Sequence, residues 1–386
     1  FQYPLKVDVN LACKRVRNLS DKEEMLELID SCAECRLCVD VCPTYLETGD
    51  ELLSPVSRLQ ICRKVFEGED VSREEVESLY SCLCCERCDR ICPNEIPTSH
   101  IVDAAKKELV RRGLGPLEAH MRIINGIMEK GNSVNRDPET RLEWMPEEYV
   151  EKESDTLLYL GCLESYLLKD SAASAYTVLK KAGVDFRVIK DEGCCGTYLY
   201  ESGRVDLAEK KFKENAEKFK KLGIKTIITP CAGCYRCFKR YYPKVLGEVE
   251  FKVQHIVEVL YDLLKKGQLK LEPVERDVTY HDPCHLGRAE GIYEEPRELL
   301  KACGANILEL ENNREEANCC GAGSGVRSAF RDLSLEIAAK TLDSMKNDTL
   351  VSPCAFCTFN FSYTSRKKNM EKRILHITDV ILDSLK

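Results

Sequence analysis

The chain has 386 residues, enough for two or three domains. Its net charge of −8, from 57 basic and 65 acidic residues, argues against a nucleic-acid or anionic-membrane binder, which needs a basic excess. Hydrophobic residues at 44% and charged residues at 32% describe a globular protein rather than a disordered one. No window of 18 apolar residues predicts a transmembrane helix. No signal peptide is readable, and a start at Phe1 without Met fits a trimmed terminus. The departure from ordinary composition is 23 cysteines. A chain this long buries a large core without disulfide staples, so the cysteines need a chemical explanation.

Residues 32–43 read CAECRLCVDVCP and residues 82–93 read CLCCERCDRICP. Each is C-x-x-C-x-x-C-x-x-x-C-P, the run of two-cluster ferredoxins. Three cysteines at that spacing wrap one iron–sulfur cube, and the fourth leaves to ligate the other. The spacing therefore assigns one 4Fe–4S cubane to Cys32, Cys35, Cys38 and Cys92. A second goes to Cys82, Cys85, Cys88 and Cys42. Zinc prefers two spaced pairs of thiolates and does not explain two complete runs with trailing prolines. Cys84 lies off the pattern. Between the runs, Leu59, Cys62, Val65 and Phe66 have helical spacing, and 73–80 and 99–112 read as helices. The first 112 residues are thus predicted to form an all-helical two-cluster ferredoxin domain.

Gly113, Gly115 and Pro116 break the last of these helices. The connector, 113–153, begins with a short helix near 117–130 and continues as polar loop. Its Trp144 is predicted to be a packing anchor rather than a partner contact.

From residue 154 one pattern occurs twice. Cys162, Cys194–Cys195–Gly196 and Pro230–Cys231-x-x-Cys234 are repeated as Cys284, Cys319–Cys320–Gly321 and Pro353–Cys354-x-x-Cys357. Such an internal repeat means two like halves, placed at 154–275 and 276–386. Each half reads α/β. TLLYLG, FRVIK and TIITP are strands in the first, with a helix from Asp206 to Leu222; DVTYHD, NILEL and TLVSP are strands in the second. Alternating strands and helices imply a small parallel sheet, with ligands beyond the carboxyl ends of its strands. All three cysteine positions of each half fall there, so five cysteines should converge on one site per half. Five thiolates exceed what zinc or one cubane takes, which favours an unusual iron–sulfur cluster. A thioredoxin-like reading of Cys231 and Cys234 leaves three cysteines unexplained. Cys237 extends that run, but Tyr241 stands where a fourth ligand would be needed, and the second copy has Asn360 in place of Cys237. GAGSGV (321–326) lacks the third glycine and the leading strand of a dinucleotide fingerprint.

These motifs resemble the D-type catalytic subunit of heterodisulfide reductase, or the split C-type and B-type subunits of that enzyme joined together. The ferredoxin half resembles the C-type subunit and the CCG half the B-type subunit. The resemblance implies two non-cubane 4Fe–4S clusters. One is held by Cys162, Cys194, Cys195, Cys231 and Cys234, the other by Cys284, Cys319, Cys320, Cys354 and Cys357. It implies that the cubanes relay electrons and that the paired sites cleave a disulfide of the coenzyme M–coenzyme B type in methanogenesis. It also implies a hetero-oligomer with a flavoprotein or cytochrome b-type subunit. The expected location is cytoplasmic, at most peripheral on the membrane through that partner. The same layout is shared by iron–sulfur subunits of glycolate oxidase, lactate utilisation systems, anaerobic glycerol-3-phosphate dehydrogenase and thiol:fumarate reductase. An electron-transfer subunit of a flavin-dependent 2-hydroxy-acid or glycerol-3-phosphate dehydrogenase, or of a related membrane quinone-linked complex, is therefore the alternative.

Lesser residues complete the expectation. His281 and His285 flank Cys284; His285 is the candidate proton donor to a departing thiolate, and bonding to backbone is the plainer role for both. His255 and His376, repeat partners, are expected to cap helices. Arg288 and Arg327 could meet an anionic substrate, with surface salt bridges the plainer outcome. Cys13, Cys62, Cys84, Cys237 and Cys303 are expected to be buried as small apolar residues. The charged runs EEVES and KKFKENAEKFKK are expected to be solvated helix faces.

Overall fold

The structure is a computed structural model and describes residues 22–385. Cys13 lies outside the described residues. From 22 to 130 the chain is helical, as predicted. Ser54 accepts from the Ser57 N–H and Pro55 opens helix Pro55–Glu67, which Gly68 ends in the left-handed region at φ 83°. Pro at the first turn and Gly past the last is the favoured asymmetry. Ser72 and Glu75 form a capping box on helix Arg73–Tyr80. The buried face of Pro55–Glu67, with Leu59, Cys62 and Val65, joins Ile101, Val102, Ala105 and Leu109 of helix Thr98–Arg111 in one core. Helix Glu118–Lys130 follows, and Trp144 is buried edge-on to Tyr176 at 5.7 Å, a packing anchor as expected.

The two halves then repeat one topology. In the first, β1 (Thr156–Leu158), β2 (Thr226–Thr229) and β3 (Lys252–His255) are parallel in the order β1-β2-β3. In the second, β4 (Arg276–Tyr280), β5 (Ala305–Ile307), β6 (Thr349–Ser352) and β7 (Arg373–His376) are parallel in the order β5-β4-β6-β7. Apolar runs such as Leu157–Leu158, Ile227–Ile228 and Leu350–Val351 are buried, as strands covered on both faces must be. The predicted helix 206–222 is Val205–Lys221, with Ala208, Phe212 and Phe219 buried.

Predicted strands are trimmed, TLLYLG to Thr156–Leu158 and NILEL to Ala305–Ile307, and one is nearly lost. FRVIK (186–190) reduces to a single bridge between Arg187 and Leu157, with two backbone bonds of 2.8 and 2.9 Å to Thr156 and Leu158. The chain leaves the sheet edge at Lys190 to turn toward Cys194, so the ladder cannot extend. That bridge stands where β5 stands in the second half. Each half thus has the strand order 2-1-3-4, whose switch point lies between its first and third strands. Cys162 and Cys231 follow those two strands in the first half; Cys284 and Cys354 follow them in the second.

Two strand ends were legible through histidine. His255 and His376 each accept the N–H two residues on, and each forms a capping box, with Glu258 and Asp379 respectively.

Candidate metal centres

The first ferredoxin loop is held by left-handed Glu34 and Arg36, at φ 50° and 64°; the second by Cys84 and Glu86, at 47° and 63°. The two loops are therefore conformational copies. Cys32, Cys35, Cys38 and Cys92 line one cavity of about 410 Å³. Cys42, Cys82, Cys85 and Cys88 line another of about 370 Å³. Each fourth cysteine thus lies with the first three of the other run. Cys35 is exposed, whereas Cys42, Cys82 and Cys85 are buried.

Cys84 adjoins the second set but turns toward helix Thr98–Arg111. Its Sγ lies 3.2 Å from Asp103 Oδ1 and 3.8 Å from Lys106 Nζ. A hydrogen bond from Cys84, helped by Arg58, holds the Cys82 thiol down at about 6 against burial.

In the first CCG half, Cys162, Cys194, Cys195, Cys231 and Cys234 line a cavity of about 360 Å³. Thiol contacts run from Cys162 to Cys194, from Cys194 to Cys195, and from Cys195 to Cys234. The second half copies this series through Cys284, Cys319, Cys320 and Cys357. In both, hydrogen bonds from neighbouring thiols pull the second cysteine of the pair, Cys195 or Cys320, well below the ordinary thiol value. The two sets meet where Cys231 contacts Cys354. Ala355 and Phe356 of the second half wall the first cavity.

The pseudo-symmetry extends to groups that hold the pair in place. Tyr159 donates to the Gly193 carbonyl at 2.7 Å; its counterpart His281 meets the equivalent Asn318 carbonyl at 3.1 Å. This is the plainer role expected of His281. Cys237 Sγ lies 3.4 Å from the Cys195 carbonyl, and its counterpart Asn360 donates to the Cys320 carbonyl at 2.6 Å. Cys237 is buried as expected, but as a hydrogen-bonding group. Cys62 and Cys303 are fully buried.

The ferredoxin part enters this assembly at the second loop. Cys85 contacts Cys319. Arg236, two residues past Cys234, pairs with Glu86 at 2.7 Å inside the protein. Gly323 explains the glycine run: a Cβ there would stand 2.5 Å from the Leu83 carbonyl oxygen, so GAGSG is a close-approach segment.

Arg288 and Arg327 depart from the expected surface salt bridges. Arg288 is buried and donates to the carbonyls of Cys85 at 2.8 Å, Glu315 at 3.0 Å, and Ala317. It joins two cysteine sets rather than meeting a substrate. Arg327 packs over the Tyr363 ring. His285 is near Cys354, Arg236 and Glu86; burial, reinforced by Arg236, pushes it down to about 3. Its Nε2 is buried without a hydrogen-bond partner.

Other residues of the site escaped sequence reasoning. Arg58 is buried and bonds Ser78, Thr44 and Ser81, with Nη1 3.6 Å from Cys42 Sγ. Those partners carry no negative charge, so a charged thiolate set is what balances the guanidinium. Glu192 accepts the Leu160 and Gly161 N–H groups at 3.2 and 2.9 Å and pairs with buried Arg141. This fixes the turn into Cys162. Gly161, at φ 75°, is needed there because a Cβ would stand 2.9 Å from Cys234 Sγ. Spacing carries no signal for such long-range pairs.

An all-thiol donor set, a cradle kept open by Gly161 and an internal cation beside Cys42 fit iron–sulfur clusters.

Comparisons with known proteins agree. A family model described as "Cysteine-rich domain" (CCG) matches residues 156–239 and 278–362. Another, described as "4Fe-4S dicluster domain", matches 28–96. The chain is 32% identical to the D-type subunit of the dihydromethanophenazine:CoB–CoM heterodisulfide reductase of Methanosarcina mazei, over 94% of this chain and 95% of that one. It is 29% identical to the B-type subunit of the fumarate reductase (CoM/CoB) of Methanothermobacter marburgensis, over 91% of this chain and 71% of that one. It is 30% identical to the EtfAB:quinone oxidoreductase of Syntrophomonas wolfei, over 89% of this chain and 56% of that one.

Proposed function

The chain belongs to the family of D-type heterodisulfide reductase subunits, which are iron–sulfur oxidoreductases, and from that premise we propose that it delivers electrons to paired CCG sites that reductively cleave a disulfide. We assign cubane 4Fe–4S clusters to Cys32, Cys35, Cys38 and Cys92, and to Cys42, Cys82, Cys85 and Cys88. Non-cubane 4Fe–4S clusters are assigned to the two five-cysteine sets. When bound, these clusters supply one-electron transfer and soft iron for a thiolate sulfur.

One observation carries the reading: three of the four cysteine sets are joined by thiol contacts, Cys85 to Cys319 and Cys354 to Cys231. The remaining set, which includes exposed Cys35, lines a cavity that shares Thr98 with the second ferredoxin cavity. Two electrons and two protons convert one disulfide to two thiols. A pair of adjoining sites suits that count. Arg58 and Arg288 place positive charge beside the second loop and beside Cys284 and Cys319, where negative charge would accumulate. His285 is the candidate to carry a proton there, since its buried Nε2 has no hydrogen-bond partner among the described residues.

The substrate is a disulfide of the kind the M. mazei relative is named for, joining coenzyme M to coenzyme B. A flavoprotein or a membrane protein of the cytochrome b type is the partner, and it docks near Cys35. Among the described residues no helix is long and apolar enough to cross a membrane, so membrane contact would come through that partner, with the chain on the cytoplasmic side. Proposed limits are 1–112 for the ferredoxin domain, 113–153 for the connector, and 154–275 and 276–386 for the CCG halves. The relation to an EtfAB:quinone oxidoreductase favours a second reading, in which the chain only transfers electrons for a flavin-dependent dehydrogenase.

The test supplies the purified, iron-loaded protein with reduced viologen and the heterodisulfide. Two viologens should be oxidised per disulfide, with release of both thiols. No turnover with all four clusters intact would sink the disulfide reading in favour of the second.

A further inference from the structure

Arg327, Arg331 and Lys367 surround one ring. Their charged ends lie 4.5, 5.0 and 6.0 Å from the Tyr363 centroid, and Arg327 lies 6.0 Å from the Phe359 centroid. Arg327 is half-buried, and its Nε is buried without a hydrogen-bond partner. Burial and Arg331 both lower its pKa, and among the described residues no carboxylate acts on it. Neighbouring Lys368, by contrast, pairs with Glu336 at 2.6 Å. Like charges held together repel, and an aromatic face offsets only part of that. The chain has 65 acidic residues, yet among the described residues none forms an ion pair with these three cations.

Their position gives the cluster a use. Phe359 and Tyr363 are four residues apart and share a face of helix Ala355–Lys368. That helix begins with Ala355 and Phe356 in the wall of the first CCG cavity. Tyr363 stands seven residues beyond Phe356, roughly 10 Å along the helix. From the other side, Ser328 beside Arg327 bonds Tyr198 at 2.6 Å, and Tyr198 lines the same cavity. Two wall residues of that cavity, Phe356 and Tyr198, thus connect it to the cation cluster, one along a helix and one through a hydrogen bond.

We infer that Arg327, Arg331 and Lys367, set around Tyr363, bind the anionic tail of a molecule whose sulfur reaches the first CCG cavity. The ligand class is a short aliphatic thiol or disulfide ending in a carboxylate, sulfonate or phosphate. Guanidinium pairs such groups in two-pronged fashion. The assignment rests on sulfur chemistry occurring at that cavity, as proposed above.

The test uses the full-length, iron-loaded protein and a matched pair of probes, 6-mercaptohexanoate and uncharged 6-mercaptohexanol, titrated calorimetrically. The wild type should bind the carboxylate at least tenfold more tightly, with a preference that shrinks as salt is raised. Arg331→Gln combined with Lys367→Gln, both exposed positions, should abolish the preference while leaving alcohol binding and the cluster resonance spectra unchanged. Arg327→Gln should do the same. Equal binding of the two probes, binding of neither, or a preference that survives the double substitution would overturn the inference. Turnover is measured in parallel with a disulfide carrying terminal carboxylates. If disulfides turn over but the double variant leaves KM unchanged, the anion site alone fails. If no disulfide turns over yet the preference follows the three cations, the site stands and the catalytic reading falls.

Discussion

Arg288 Nη1 donates to the carbonyl oxygen of Cys85 at 2.8 Å, across 203 residues of sequence. The same guanidinium holds the Glu315 and Ala317 carbonyls, which lead into Cys319. One rigid fork therefore spans a ferredoxin loop and a CCG site. Arg288→Leu leaves three carbonyls unsatisfied and should destabilise by about 3–5 kcal/mol. Arg288→Lys keeps the charge but loses the fork. The lysine variant should retain its iron and its cubane resonance signals, while reduction of the CCG sites slows by about tenfold to a hundredfold through misplacement. Rapid freeze-quench spectroscopy after mixing with a one-electron reductant reads this directly. Unchanged CCG reduction in the lysine variant would show that the fork only glues the parts together.

The crossed pairing of cysteines makes a sharper prediction. Cys42 lies in the first run but lines the cavity of the second, and Cys92 does the converse. Cys42→Ser should therefore perturb the same resonance signal as Cys88→Ser, and Cys92→Ser the same signal as Cys35→Ser. Cys84→Ser and Cys237→Ser should leave the iron content at about sixteen per chain, because these thiols serve Asp103 and the Cys195 carbonyl instead. A loss of about four irons from either would promote it to a ligand.

Gly323 faces the Leu83 carbonyl, between Cys82 and Cys85, with no room for a methyl group. Its backbone is not left-handed, so the requirement is closeness rather than conformation. Gly323→Ala must push the second ferredoxin loop away from the CCG site. The expected cost is about 1–3 kcal/mol, read from thermal unfolding, together with a changed spectrum for the Cys82 set and an unaltered one for the Cys35 set. A stable variant with both spectra intact would mean that the contact yields easily.

These contacts show where the sequence was readable. The cysteine runs have a local period, so Cys32 to Cys42 and Cys82 to Cys92 could be picked out from spacing, and the fold gathers them around two cavities. The CCG repeat was readable in the same way, because its cysteines recur just past strand ends. His255 and His376 were legible for a like reason: a cap acts within three residues. What failed was long-range. Arg288 was expected in a surface salt bridge and Arg58 and Arg141 carried no signal at all; only the fold reveals that each is buried against groups 14 to 203 residues away. The strand at 186–190 failed differently. Its composition suits a strand, but the turn to Cys194 takes the chain off the sheet edge after one bridge.

His120 gives a pH prediction whose sign follows from burial. The ring is fully buried against Tyr80 and Tyr198, at 5.1 and 6.0 Å. Burial, then the Lys106 charge, pushes its pKa down to about 4, against about 6.5 in an unfolded chain. Between those values the unfolded state binds the extra proton, so stability rises with pH. The neutral ring's contribution is complete above about pH 6.5 and is lost progressively as pH falls toward about 4. Acidification from about pH 6.5 to about 5 should cost about 2 kcal/mol through this one residue. His120→Phe removes the titration while keeping an aromatic ring. The difference in unfolding free energy between variant and wild type, measured at several pH values, should grow in the variant's favour by that amount over this interval. Taking the difference cancels whatever acid does to the metal centres in both proteins. A difference that stays flat across that interval would mean that His120 finds a proton acceptor when folded.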